Sequence, residues 1–253
     1  MTEPKWWEDL YDNTVADLFM ARREPDELEA TLAFLTQHLR LGAGHRVFDQ
    51  CCGIGSLSLF LAARGIEIVG TDACAAYICR AADAANRTQL PARYFVADAF
   101  EFVPDVPCDA AFNWWTSFGY AAEDSRNVQM LCRACDALKP GGMFALDFLN
   151  AAQVLSQFHP ALVRRAETPE GEVILLREST VNLRSGTLDQ VWTFQWPDGR
   201  RRTGESHVRL YLPDTVGSLL RQAGLADIEF FGGVRNEPLT TFSPRCICVA
   251  RKP

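Results

Sequence analysis

Two glycines, Gly53 and Gly55, stand between an apolar run, Arg46-Val47-Phe48, and a second one from Leu57 to Ala63, with carboxylates before and after them at Asp49 and Asp72. The first run reads as a buried parallel strand and the second as a helix. Glycines in such a turn let a ligand lie directly on the backbone, and the start of the helix offers it unpaired N–H groups. Asp72 ends the next strand, Glu67 to Asp72, at about twenty residues' remove, the spacing at which a carboxylate takes both hydroxyls of a ribose. The chemistry these residues suit is recognition of a nucleoside.

What the turn lacks narrows the nucleoside. A dinucleotide fingerprint wants a third glycine where this chain has Ser58, and no Gly-Lys-Ser/Thr ending is present to cradle a nucleotide's phosphates. Asp49, inside the turn, would repel a pyrophosphate and hold an amino or cationic group. The pattern Asp49-x-x-x-Gly53-x-Gly55 followed by Asp72 resembles the cofactor site of class I S-adenosylmethionine (SAM) dependent methyltransferases. The resemblance implies SAM as cofactor, contacted by Asp49, Cys51, Gly53, Gly55, Asp72 and Ala73, with Asp98 accepting the adenine amino group and the Ala99 amide meeting the ring. Asp98 also fits a helix N-cap. Asn113 would bind the amino-acid tail or an incoming nucleophile. Trp114 or Trp115 would face the sulfonium, a contact worth about 1 to 2 kcal/mol when desolvated, while the other fills core. Two departures are Gln50-Cys51-Cys52, where small apolar residues are usual, and the bulk of Trp114-Trp115.

The elements that must position these groups alternate. After the turn come strand 66–71, helix 74–87, strand 92–97, strand 108–113, helix 123–138 and strand 142–148, which calls for a parallel sheet with helices on both faces and ligands at the carboxyl ends of its strands. Helix Pro213 to Ala223 and strands 226–231 and 245–251 complete it. The expected fold is α/β: a Rossmann-like, doubly wound, seven-stranded sheet with the last strand antiparallel, an antiparallel β insertion and an N-terminal helical lid. The expected divisions are a lid over 1–24, a SAM-binding core over 25–150, the insertion over 151–212 and the rest of the core sheet over 213–253; the resemblance covers 25–150 well and the last part loosely. In the lid, Trp6 and Trp7 suit either core packing or the pocket, and the resemblance places Tyr11 near the sulfonium. In the insertion, turns fall at Glu170-Gly171, Ser185-Gly186 and Asp198-Gly199. Val208, Leu210 and Leu212 alternate there with His207, Arg209 and Tyr211, so the polar three are pocket candidates under the roof, although a solvated outer face fits the same alternation.

A net charge of -7 and pI near 5.2 argue against a nucleic-acid surface, and Arg200-Arg201-Arg202 beside Asp198-Gly199 reads as a solvated hairpin tip. No run approaches the length of a membrane span and no signal core opens the sequence. Nine cysteines, odd in number and scattered in spacing, read as free thiols of a reducing, cytoplasmic protein with no metal site. The expected activity is methyl transfer to a small-molecule acceptor of biosynthetic type, by proximity and desolvation, with His207 or Tyr211 as base if the acceptor arrives protonated. A second possibility on the same fold is cyclisation of SAM to azetidine-2-carboxylate and methylthioadenosine, which needs aromatic walls and no acceptor pocket. A SAM-binding module and a nicotinamide oxidoreductase are less suited, given the intact turn and Ser58. The oligomeric state is left open.

Overall fold

The computed structural model describes residues 5–21 and 24–253, so residues 1–4, 22 and 23 of the expected lid lie outside the described residues. The chain opens with two short helices, α1 (Trp6–Leu10) and α2 (Asn13–Phe19), the second capped by the Asp12 carboxylate, which accepts from the Val15 N–H. Helix α3 (Pro25–His38) follows, with proline at its start and Asp26 and Glu27 in its first turn, where the macrodipole favours them.

A βα alternation then runs through β1 (Arg46–Gln50), α4 (Ser58–Ala62), β2 (Glu67–Asp72), α5 (Ala75–Arg87), β3 (Ala92–Val96), β4 (Cys108–Asn113), α6 (Asp124–Asp136) and β5 (Leu138–Leu149). A short helix, α7 (Ala151–Ser156), leads into β6 (Ala161–Thr168), β7 (Gly171–Asn182), β8 (Thr187–Gln195) and β9 (Arg201–Arg209), and the chain returns through α8 (Pro213–Gln222), β10 (Ala226–Phe231) and β11 (Arg245–Arg251). Seven strands make one sheet in the order β10-β11-β5-β4-β1-β2-β3, and the other four make an antiparallel sheet, β6-β7-β8-β9. In the larger sheet β11 alone runs antiparallel, to both β5 and β10.

Why the larger sheet is buried on both faces is legible in its runs. Val47 and Phe48 of β1, Ala110 to Phe112 of β4 and Phe144 to Leu146 of β5 are all buried, as parallel strands covered by helices must be. Helix α3 lays Leu32, Phe34 and Leu35 on one face together with Leu61 of α4, and the other face takes Met130, Leu131 and Ala134 of α6 and Val216, Leu219 and Leu220 of α8. A third apolar cluster joins Leu10, Val15 and Leu18 of the first two helices to Val173, Leu175, Trp192, Phe194 and Trp196 of the smaller sheet. The close approach of α1 depends on Gly204, where an added Cβ would stand 2.8 Å from the Leu10 methyl.

Three expectations need correction. Helix α4 is shorter than Leu57 to Ala63, because residues 53–57 are spent on turns. Strand β5 begins at Leu138, so the Lys139-Gly142 turn lies inside it, marked by a register shift against β4. Arg202 is no part of a solvated tip: its guanidinium donates to the Leu10 carbonyl at 3.2 Å and to Asp12 at 3.3 Å and covers the Phe194 ring, while Arg200 pairs with exposed Asp198 and Glu170.

Candidate active site

At the carboxyl end of β1 the chain turns sharply, with Cys51 at φ 62 and Gly53 at φ 56. A left-handed backbone at a residue with a β-carbon costs on the order of 1 kcal/mol and persists where the surroundings enforce it. Asp72 supplies part of that enforcement: one carboxylate oxygen accepts from the Gly53 N–H and the other from the Cys74 N–H, each at 2.9 Å. Burial raises the Asp72 pKa, and those backbone donors oppose the rise. Burial likewise pushes the Cys51 thiol well up, so it stays protonated and is no nucleophile.

Beneath the turn, two groups expected at the cofactor are turned elsewhere. Asp49 is 3% exposed and outside the cavity lining; burial lifts its pKa to about 7, with the Ser58 hydroxyl opposing and Asp72 adding to the rise. Asn113 is fully buried and donates to Gln50 Oε1 at 3.2 Å, while Gln50 Nε2 donates to the Met130 carbonyl at 3.1 Å. The two amides tie the ends of β1 and β4 together under the site, which accounts for glutamine beside the turn. Gly55 faces the Tyr94 hydroxyl and the Leu59 side chain, also away from the cavity.

The cavity above has a volume of about 660 Å³ and is lined from four directions. The turn and strand ends contribute Cys51, Gly53, Asp72, Ala73, Asp98 and Ala99. Asp98 Oδ1 accepts from the Phe100 N–H at 2.9 Å in the manner of a cap, and Oδ2 pairs with Lys5 Nζ at 2.9 Å.

The first helices contribute Trp6, Trp7 and Tyr11, and the segment after β4 contributes Trp114 to Ser117 and Tyr120. Trp6 stacks obliquely on Tyr120, 4.5 Å between ring centroids, and the Tyr11 and Tyr120 hydroxyls meet at 2.6 Å. Burial raises both phenols, Tyr11 to about 12, so neither is a base near neutral pH. Both tryptophans of the pair touch the cavity, but Trp114 is 5% exposed and packs in the core against Phe34. Trp115 and Thr116 are at φ 60 and 64. Their turn is held by Asp147, which accepts from the Trp115 N–H at 3.0 Å, and by Arg245, bidentate on Asp147 at 2.8 and 2.7 Å and bonded to the Thr116 hydroxyl.

The roof is the inner face of the smaller sheet: Arg177, Leu188, Gln190, Trp192, Ser206 and Val208. Register fixes this face, since Arg177 pairs with Trp192, Gln190 with Ser206 and Leu188 with Val208. His207, Arg209 and Tyr211 are therefore corrected. His207 lies on the opposite face, exposed, 3.0 Å from Asp189. Arg209 ends β9 and pairs with Asp124 at 2.7 Å. Tyr211 falls beyond the strand, buried, with its hydroxyl donating to Asp124 at 2.6 Å and receiving from Asn127. None of the three lines the cavity. The sequence reading missed Tyr120, Arg177, Gln190, Ser206 and Arg245; on β8 and β9 the inner face is mixed, with Leu188, Gln190, Trp192, Ser206 and Val208, and polar alternation marked the outer face instead.

A family described as "Methyltransferase domain" matches residues 47–142. The S-adenosyl-L-methionine-dependent Diels-Alderase iccD of Talaromyces variabilis is 32% identical over 113 residues, 43% of this chain and 37% of that protein, so the match spans little more than a third of that relative's length. A putative methyltransferase of Geobacillus sp. (strain WCH70), GWCH70_2453, is 26% identical over 86% of this chain and 88% of its own. In structure, the CcbJ methyltransferase from Streptomyces caelestis superposes with a TM-score of 0.76 at 18% identity, covering 98% of this chain and 95% of that one.

Proposed function

From residues 47–142 as a member of the methyltransferase-domain family, set in the class I SAM-dependent methyltransferase fold with SAM as cofactor, we propose that this chain methylates a small-molecule acceptor held beneath the four-stranded roof. The observation that carries the reading is the shared cavity: strand ends with Gly53, Asp72 and Asp98 on one side, roof residues Gln190, Trp192 and Ser206 on the other, enclosed by Trp6 and Tyr11. Its volume of about 660 Å³ lies in the range that holds drug-sized molecules.

The residues present fit SAM. Asp72, at the end of β2, would take ribose hydroxyls, Asp98 and the Ala99 amide the adenine edge, and the adjoining rings of Phe100 and Trp7 would border it. The acids of this half suit a cation, and among the described residues the hydrogen-bond partners of Asp72 are backbone amides. SAM, when bound, supplies an electrophilic methyl group on a sulfonium.

What the chain adds is position and dryness. Trp6, Tyr11 and Tyr120 pack on one another along the cavity wall, where they would exclude water and border a cation. Their neutral hydroxyls orient an acceptor by hydrogen bonding and take no proton. With His207 and Tyr211 outside, the acceptor enters unprotonated, and the rate comes from holding it in line with the methyl. Cyclisation of SAM needs no acceptor pocket, so the roof over this cavity speaks against it.

The likeness to a SAM-dependent Diels-Alderase favours a second reading, in which SAM remains intact and its charge assists a rearrangement in the same cavity. Mass spectrometry of the protein incubated with SAM and an acceptor library separates these. S-Adenosylhomocysteine appearing with a product 14 mass units heavier supports methyl transfer; SAM consumed to methylthioadenosine, or left intact while a substrate isomerises, refutes it.

A further inference from the structure

Arg177, in the middle of β7, reaches from the roof into the cavity. Its guanidinium lies over the Trp192 indole, 5.1 Å from the ring centroid, and its Nε is buried without a hydrogen-bond partner among the described residues. Among the described residues no carboxylate comes within ion-pair distance. The acids that line the same cavity are engaged elsewhere: Asp72 with the Gly53 and Cys74 amides, Asp98 and Glu8 with Lys5. Arg245, the other arginine of the lining, is fully matched by Asp147. A guanidinium stays charged at any physiological pH, and a charge withdrawn from water is costly unless an opposite charge meets it.

The setting specifies the missing anion. Trp192 backs one face of the guanidinium, and Gln190 and Ser206 stand on the same face of the sheet. The Gln190 amide donates to Ser179, and Ser206 accepts from the Trp192 indole, so the rest of the roof is internally bonded and neutral. A single planar fork matches one carboxylate; a phosphate would leave charge uncompensated. Around it the lining is Phe19, Trp115, Tyr120 and Val208. We propose that the acceptor joins an apolar, ring-bearing body to one carboxylate, which Arg177 receives. This rests on the methyl-transfer reading, and it makes Arg177 a determinant of specificity. SAM carries a carboxylate of its own, so the test separates the two sources.

The probes are ring-bearing monocarboxylates such as phenylacetate, 3-phenylpropionate and cinnamate, each paired with its primary amide. Binding to the full chain is measured by calorimetry with and without saturating S-adenosylhomocysteine, for wild type, Arg177→Gln and Arg177→Lys. Near-ultraviolet circular dichroism shows that the variants are folded. Acids binding about 10- to 100-fold tighter than their amides, with the preference abolished in Arg177→Gln, reduced in Arg177→Lys and SAM affinity unchanged, is the expected result. Equal binding of acids and amides, no binding of any acid, or a preference that survives Arg177→Gln overturns the proposal. So does a loss of SAM affinity in Arg177→Gln, which would give the guanidinium to SAM's carboxylate. If wild type fails to bind S-adenosylhomocysteine, the methyl-transfer reading falls, while the acid–amide comparison without it still judges Arg177.

Discussion

The Tyr11 hydroxyl lies 2.6 Å from the Tyr120 hydroxyl, and the two rings are within 12° of parallel. One residue follows α1 and the other follows β4, so this hydrogen bond, with Trp6 Nε1 donating to the Tyr120 carbonyl at 3.4 Å, fastens the first helices across the cavity. Tyr11→Phe and Tyr120→Phe should each raise the acceptor's KM or lower kcat while leaving SAM affinity nearly unchanged. The double variant should be no worse than either single one, with a coupling of about 0.5 to 1.5 kcal/mol. Additive losses in steady-state kinetics would mean that the hydroxyls act separately.

Asp72→Ala removes the carboxylate proposed to take the ribose and the acceptor of two turn amides. SAM affinity should fall by about 1.5 to 3 kcal/mol, the worth of hydrogen bonds to a charged group. Calorimetry that finds an undiminished affinity would remove Asp72 from the cofactor site.

Asp49 supplies a pH test. Its folded pKa of about 7 lies above the ordinary 3.8, so the stability tied to its proton is whole below the lower value and is lost as pH rises through about 7. The loss should amount to no more than about 4 kcal/mol. Asp49→Asn should therefore gain on wild type in denaturant titrations as pH goes from 4 to 8. A constant difference between the two proteins over that span would show that Asp49 is ionised throughout.

Lys5 holds the Asp98 oxygen that an adenine amino group would need. The pair is part-exposed, so its intrinsic worth is small. Lys5→Ala should tighten SAM binding slightly, by less than about five-fold, whereas Asp98→Ala should weaken it. Weaker binding in Lys5→Ala would instead make Lys5 part of the adenine site.

The larger sheet was legible because strands covered on both sides carry apolar runs, as Val47-Phe48 of β1, Ala110-Ala111-Phe112 of β4 and Cys246 to Ala250 of the antiparallel β11 do. The hairpins of the smaller sheet were legible because glycine marks each turn. The roof was misassigned because its inner face is mixed, with Gln190 and Ser206 beside Trp192. Alternation gives two faces but does not say which one meets a ligand. Asn113 and Asp49 show a second limit: strand-end position places a residue near the site, while the direction of its side chain depends on partners such as Gln50 and Ser58 that lie elsewhere in the chain.

Strand β11 follows every other strand in sequence yet is inserted between β5 and β10, and it brings Arg245 to Asp147 and Thr116. During synthesis the nucleoside half of the site can form early, because its strands and turn are contiguous in the chain. The Trp115-Thr116 segment gains Asp147 only with the end of β5 and the Arg245 clamp only with β11. Its fastening is incomplete until β11 emerges, and until then β5 presents an open edge to any passing strand. Refolding should accordingly show two events in order, cofactor binding first and closure of the acceptor side later, with aggregation confined to the interval between them.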